Sequence, residues 1–328
     1  MLATSPQPLR QQKPAGVLPI QVWWPYAVII GGMHLAALLA VWPWLFSWTG
    51  VVSVLIGHHL FGMLGMTVCY HRLLTHRSFN CPQWLEYTFA LLGVCCLQDT
   101  PARWVATHRL HHQHSDEQED PHSPLVDFWW SQFGWLLVRN REVGNITHLD
   151  RYARDIMRDP LYRWLERRNH GLLVFTIHAA IIFLIGAAIG WFTGGLGEAW
   201  RMGLSLLVWG VALRTVIVWH LTWAVNSLTH LWGYRTYQTG DNSRNNWLVA
   251  LLVHGEGWHN NHHAQQTAAA HGRQWWELDL SYLFICLLEK VGLAWNVSRP
   301  ERVPTPEKGP HFLRPVTGAE IKSRVHSR

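Results

Sequence analysis

A chain of 328 residues is long enough for one large domain or two small ones, so length alone leaves the architecture open. Charged residues make up only 15% while there are 22 tryptophans, a balance that suits a bilayer with aromatic girdles better than a water-soluble globule. The formal charge of +6 is carried mostly by arginines outside the apolar stretches, which fits a cytoplasmic membrane face and argues against a nucleic-acid groove.

Residues 1–20 are rich in Pro and Gln and lack the charged start and immediate apolar core of a secretory signal, so a disordered cytoplasmic tail is expected there. Four apolar segments follow that are long enough to span a bilayer: about Val22 to Phe46, Val51 to Tyr70, Leu172 to Phe192, and Gly203 to Trp223. They pair into two hairpins. The connecting loops, around Ser47 to Gly50 and Thr193 to Ala199, hold no Lys or Arg, whereas the block from Arg72 to Arg168 is rich in Arg. That asymmetry puts both termini and the long blocks on the cytoplasmic side.

Two further apolar runs are too short to cross. Trp84 to Leu97, about fourteen residues, and Trp247 to Val253 read as interfacial or re-entrant helices. Residues 299–328, with repeated Pro and mixed charge, read as a flexible cytoplasmic tail. The expected fold is therefore an all-α membrane protein: four transmembrane helices in two hairpins, with a cytoplasmic helical cap, all within residues 21–298. Cys69, Cys81, Cys95, Cys96 and Cys286 form no CxxC pair and read as reduced, buried thiols.

Three dense histidine clusters fall on the expected cytoplasmic side: His71-Arg-Leu-Leu-Thr-His76, His108-Arg-Leu-His111-His112 and His259-Asn-Asn-His262-His263. Positions i, i+3 and i+4 share a helix face, so each HxxHH stretch can aim three imidazoles into one cavity. The HxxxxH spacing differs, because five residues overshoot a turn of 3.6, and His71 and His76 reach one centre only if the helix ends or bends between them. Isolated histidines such as His34, His170 and His178 read as packed or hydrogen-bonded residues. Eight clustered imidazoles have no evident structural benefit without a cation, and they exceed the needs of a four-coordinate zinc site. Two metal ions are the economical inference, with iron, zinc and copper all suited to imidazole.

The stretches Tyr70-HRLLTHRSF-Asn80, Trp104-VATHRLHHQHSD-Glu117, Thr222-WAVNSLTHLWG-Tyr234 and Gly255-EGWHNNHHA-Gln265 resemble the four signature regions of the membrane fatty-acid desaturases, the stearoyl-CoA delta-9 type and its bacterial relatives. The resemblance runs from about residue 50 to residue 298. It implies two ferrous irons held by the eight box histidines and by His230, with Asn226 acting through water. It also implies that a saturated acyl substrate loses two neighbouring hydrogens to dioxygen, with electrons from outside. The chain has neither an HPGG haem-binding stretch nor a cysteine set for an iron–sulfur cluster, so the donor is expected to be a separate ferredoxin-like or cytochrome-type protein.

Glu256, Asp116 and Asp120 lie close to the boxes and are candidates for orienting the ligands, the alternative being solvated loops. Trp104 and Trp223 either line an acyl tunnel or pack beside it. Gln98-Asp99 stands where the animal acyl-CoA enzymes have a Gln-Asn pair near the head group, and Ala106 stands where they have an Arg that contacts CoA phosphates. The acyl carrier, CoA or membrane lipid, stays open. His58, His59 and Arg214 are ionisable groups within the spans. Counted at 1.5 Å per residue, the two histidines lie toward the outer leaflet, with a role in helix pairing or in closing the tunnel end. Two other activities share these features: a di-iron lipid hydroxylase on the same scaffold, and a zinc-binding membrane receptor or transporter.

Overall fold

The computed structural model of the protein describes residues 11–168 and 170–301. Among these residues the fold is helical, without a strand and with only isolated bridges such as Asn80 to Trp295 and Tyr234 to Asn245. Three stretches are long and apolar enough to cross a membrane: Trp24–Val41, Trp48–Thr75 and His170–Leu231.

The third stretch is not one rod. At Gly194 and Gly195 the backbone leaves helical geometry, Gly195 with φ of 72°, a left-handed conformation that favours glycine. The chain reverses there, and the returning leg packs so closely that a side chain at Gly186 would strike the backbone of Met202 and Gly203. The first stretch ends in 3-10 turns, Leu39–Val41 and Pro43–Leu45, before Ser47 caps the next helix by accepting from the Gly50 amide at 2.9 Å.

The short run Gln83–Val94 forms a helix against the second stretch. Gly65 faces the backbone of Leu92 and Gly93, and Gly93 in turn lies under the ring of Tyr70. Only hydrogen fits at either position. Where this helix ends, Arg214, fully buried, donates to Cys95 O at 3.0 Å and sits 4.2 Å over the ring of Phe61. The guanidinium is thus turned inward and satisfies a carbonyl that the helix end leaves free. Helix Trp247–Leu252 buries Val249 and Ala250 but exposes Trp247, Leu248, Leu251 and Leu252, the division of an element lying at an interface.

Two expectations change. The N-terminal tail does not extend to residue 20: Val17 is buried with Val126 and Trp130, and the Gln11 amide donates to Leu125 O at 3.0 Å. Its remainder, 1–10, and most of the C-terminal tail, 302–328, lie outside the described residues. His58 and His59 pack against the segment Leu252–His254, just ahead of the third box. His58 Nε2 lies 2.9 Å from Leu252 O, and the rings of His58 and His59 lie 4.5 and 4.9 Å from that of His254. The count at 1.5 Å per residue does not apply to His58–Thr75, which is wound as a π-helix.

Candidate metal centre

The π winding also answers the HxxxxH spacing. With hydrogen bonds from i to i+5, residues five apart return to the same face. The His76 amide donates to His71 O at 3.2 Å, Thr75 Oγ1 donates to Tyr70 O at 2.7 Å, and the His71 and His76 rings come within 4.8 Å. The second box lies on helix Pro101–His114, which starts with proline at its first position, where a missing amide costs nothing. The third box forms the short helix His259–Ala264, buried from His259 through His263. Its two asparagines anchor it: Asn260 Oδ1 accepts from the Thr236 and Tyr237 amides, each at 2.8 Å, and Asn261 Nδ2 donates to Glu277 at 2.9 Å. His230 closes helix Arg214–Leu231.

These elements bring nine imidazoles together in two adjacent groups: His71, His76, His108, His112 and His262, and His111, His230, His259 and His263, with potential ligand atoms within 4.8 Å of one another in each. Neither HxxHH box serves one group alone, as equal aim into a single cavity would require. The i, i+4 pair His108 and His112 joins the first group while His111 joins the second, and His259, His263 and His262 divide in the opposite sense. The groups touch at His112 and His263, whose ring centroids are 4.6 Å apart. Nε2 atoms converge within them, at 3.1 Å for His71 and His262 and 3.0 Å for His230 and His259. His76 Nε2 and His263 Nε2 are buried without a hydrogen-bond partner. Convergent, unsatisfied imidazole nitrogens fit a pair of metal ions.

Carboxylates hold the opposite nitrogens. Nδ1 of His71 lies 2.6 Å from Glu256, that of His111 2.9 Å from Asp120, that of His230 2.9 Å from Asp116, and that of His263 2.6 Å from Asp241. Such a bond fixes the tautomer and leaves Nε2 free for a metal. Glu256 is also gripped by Arg72, which makes a second ion pair with Asp279 at 3.1 Å. Asp241, Arg72, Asp279, His122 and His271 were not anticipated from sequence. Asp241 lies in a loop without periodicity, whereas His122, two residues after Asp120, shared a signal with the acidic cluster.

Electrostatics favour the ligating forms. Burial, reinforced by the charge of neighbouring imidazoles, holds His108, His112, His259 and His262 well below the usual value of 6.5. Burial likewise brings His263 down to about 4, although Asp241 pulls the other way. Burial works against the charged form of Asp116, Asp120, Asp241 and Glu256, yet the facing histidines and, for Glu256, first Arg72 keep each below the usual carboxylate range. These five imidazoles are thus held neutral and the four carboxylates charged at neutral pH.

An apolar cavity of about 420 Å³ runs up to His108, walled near it by Trp104, Trp219, Trp223 and Asn226. Trp104 stacks on His108 at 4.8 Å. Asn226 is in neither imidazole group and faces this cavity. Gln98 lies in its wall and donates to Thr222 Oγ1 at 3.1 Å. Its other end is polar: Asp99 accepts from the Tyr26 hydroxyl, and Arg103 pairs with Glu166 at 2.9 Å. His34, His170 and His178 stay outside the groups, His34 bonded to His220 at 3.0 Å and His170 to Trp164 O at 2.7 Å.

A helical protein with membrane-length spans, two converging imidazole groups and an apolar cavity leading to them is built for metal-dependent chemistry on an apolar chain. Comparison with known proteins agrees: the sequence pattern of the fatty acid desaturases matches residues 44–282, and the chain belongs to that family. It is 44% identical over 282 residues to an sn-1 stearoyl-lipid 9-desaturase of Anabaena variabilis, covering 86% of this chain and 96% of the relative. It is 41% identical over 278 residues to an sn-2 palmitoyl-lipid 9-desaturase of Nostoc sp. (strain 36), covering 84% and 90%. An acyl-CoA C20 Delta5-desaturase of Anemone leveillei is 40% identical over 280 residues, covering 85% and 82%. The protein is an oxidoreductase, a fatty-acyl desaturase.

Proposed function

We propose that this desaturase introduces a cis double bond at the delta-9 position of a saturated acyl chain esterified in a membrane lipid, using two irons held by the nine imidazoles. The observation that carries this reading is the pair of imidazole groups, one member of which, His108, lines an apolar cavity. Bound there, two ferrous irons with dioxygen and electrons from a separate carrier protein supply the oxidising power that no side chain has.

The chain's own residues do the rest. Trp104, Trp219 and Trp223 keep the acyl chain dry and fix which carbons lie beside the metals. Glu256, Asp116, Asp120 and Asp241 orient ligands, and Asn226 holds a metal-bound water from the cavity wall. The mixed charge of the cavity's polar lining supports a lipid as acyl carrier: Arg103 is paired with Glu166, the carboxyl of Asp99 lines the same cavity, and Arg168 is the one further cation among the lining residues. The names of the Anabaena and Nostoc relatives point the same way.

The reversal at Gly194–Gly195 and the Arg-rich block 72–168 support four crossings in two hairpins, with the termini and the histidine groups on the cytoplasmic side. The test is lipid analysis of cells expressing the chain. A new double bond at carbon 9 of lipid-bound stearoyl or palmitoyl chains is expected. A hydroxylated product instead would turn the reading toward oxygen insertion.

A further inference from the structure

Desaturation balances only when protons and water can move. The acyl chain gives up two hydrogen atoms, dioxygen takes them together with two electrons from the carrier protein and two protons, and two waters leave. An apolar cavity filled by the acyl chain it accommodates cannot pass this traffic.

Two members of the first imidazole group face different spaces. His108 lines the apolar cavity, and His112 lines a second cavity of about 720 Å³. The second cavity lies between helix Pro101–His114 and the loop 236–241, with Gln113, Glu117, Thr239 and Asp241 among its walls. Gln113 and Glu117 are exposed, so the space opens to solvent. At its inner end it meets one imidazole from each group, His112 and His263, and the buried Nε2 of His263 has no partner.

We propose that this polar cavity is a second route to the metal centre, carrying protons, water and small inorganic anions while the acyl chain occupies the other. The proposal rests on reading the two imidazole groups as the metal centre. It is tested on the iron-loaded, air-oxidised full-length protein with azide as the probe, whose binding to ferric iron is followed by its absorption band. Gly240 lines the cavity, and a Cβ built on it meets nothing within 4 Å, so the side chain of Gly240→Trp starts from open space and its ring narrows the cavity. Gln113→Trp obstructs the same space from the helix, and Gly240→Ser leaves it open.

Both tryptophan variants should keep their iron yet bind azide several-fold more slowly, Gly240→Ser should match the wild type, and an excess of stearoyl lipid should leave the wild-type rate unchanged. The proposal is overturned if the tryptophan variants take up azide at the wild-type rate while stearoyl lipid blocks it. A wild-type protein that takes up no iron overturns the metal-centre reading first, and the route with it.

Discussion

At the scale of single residues the candidate centre is organised by what stands behind each imidazole. Asp241 holds Nδ1 of His263 at 2.6 Å, and removing such a partner lowers metal affinity by about 10–100-fold. Asp241→Asn should therefore bind iron more weakly in a titration yet still reach full loading, whereas His263→Ala should not. His230 and Asn226 make a second contrast. His230 lies within its imidazole group and Asn226 on the cavity wall, so His230→Ala should lose iron and all product, and Asn226→Ala should keep most of the iron and a small residual activity. Iron content and unsaturated product measured on both variants decide it. The box histidines were legible because their spacing carries a face. His230 is a single histidine on an apolar helix and came only through family resemblance, and Asp241 had no signal because it lies in a loop and its partner His263 is 22 residues away.

At the scale of elements the second stretch sets the geometry. Its π winding brings His71 and His76 to one face, which the spacing denies to an α-helix. Nothing in the residues between them announces that winding, so the spacing could pose the problem but not solve it. The close crossing of this stretch with helix Gln83–Val94 depends on Gly65 and Gly93. Gly93→Val should push Tyr70, the neighbour of His71, and cost about 1–3 kcal/mol through overpacking, read as a lower unfolding temperature. An unchanged melting curve would mean that the helices can separate at no cost. Three membrane-length apolar stretches were legible from the sequence, and the break in helical geometry at Gly194–Gly195 falls inside the expected loop.

At the scale of the whole molecule, many buried neutral imidazoles make stability depend on pH. His263 is lowered to about 4 and His122 to about 3, in both cases first by burial, from a usual 6.5. Below pH 6.5 the unfolded chain binds protons that the folded chain refuses, so stability falls as pH drops from about 6.5 toward 4. The metal-free protein should melt at progressively lower temperature across that window, and iron should be released in the same direction because its ligands must be deprotonated. A melting temperature flat over this range would contradict the burial of neutral histidines.

The central claim is that the nine imidazoles form two groups serving two irons. Metal analysis of the protein purified from an iron-replete host tests it most directly: the account predicts two irons per chain, and a single metal ion per chain, or zinc with no iron, would contradict it.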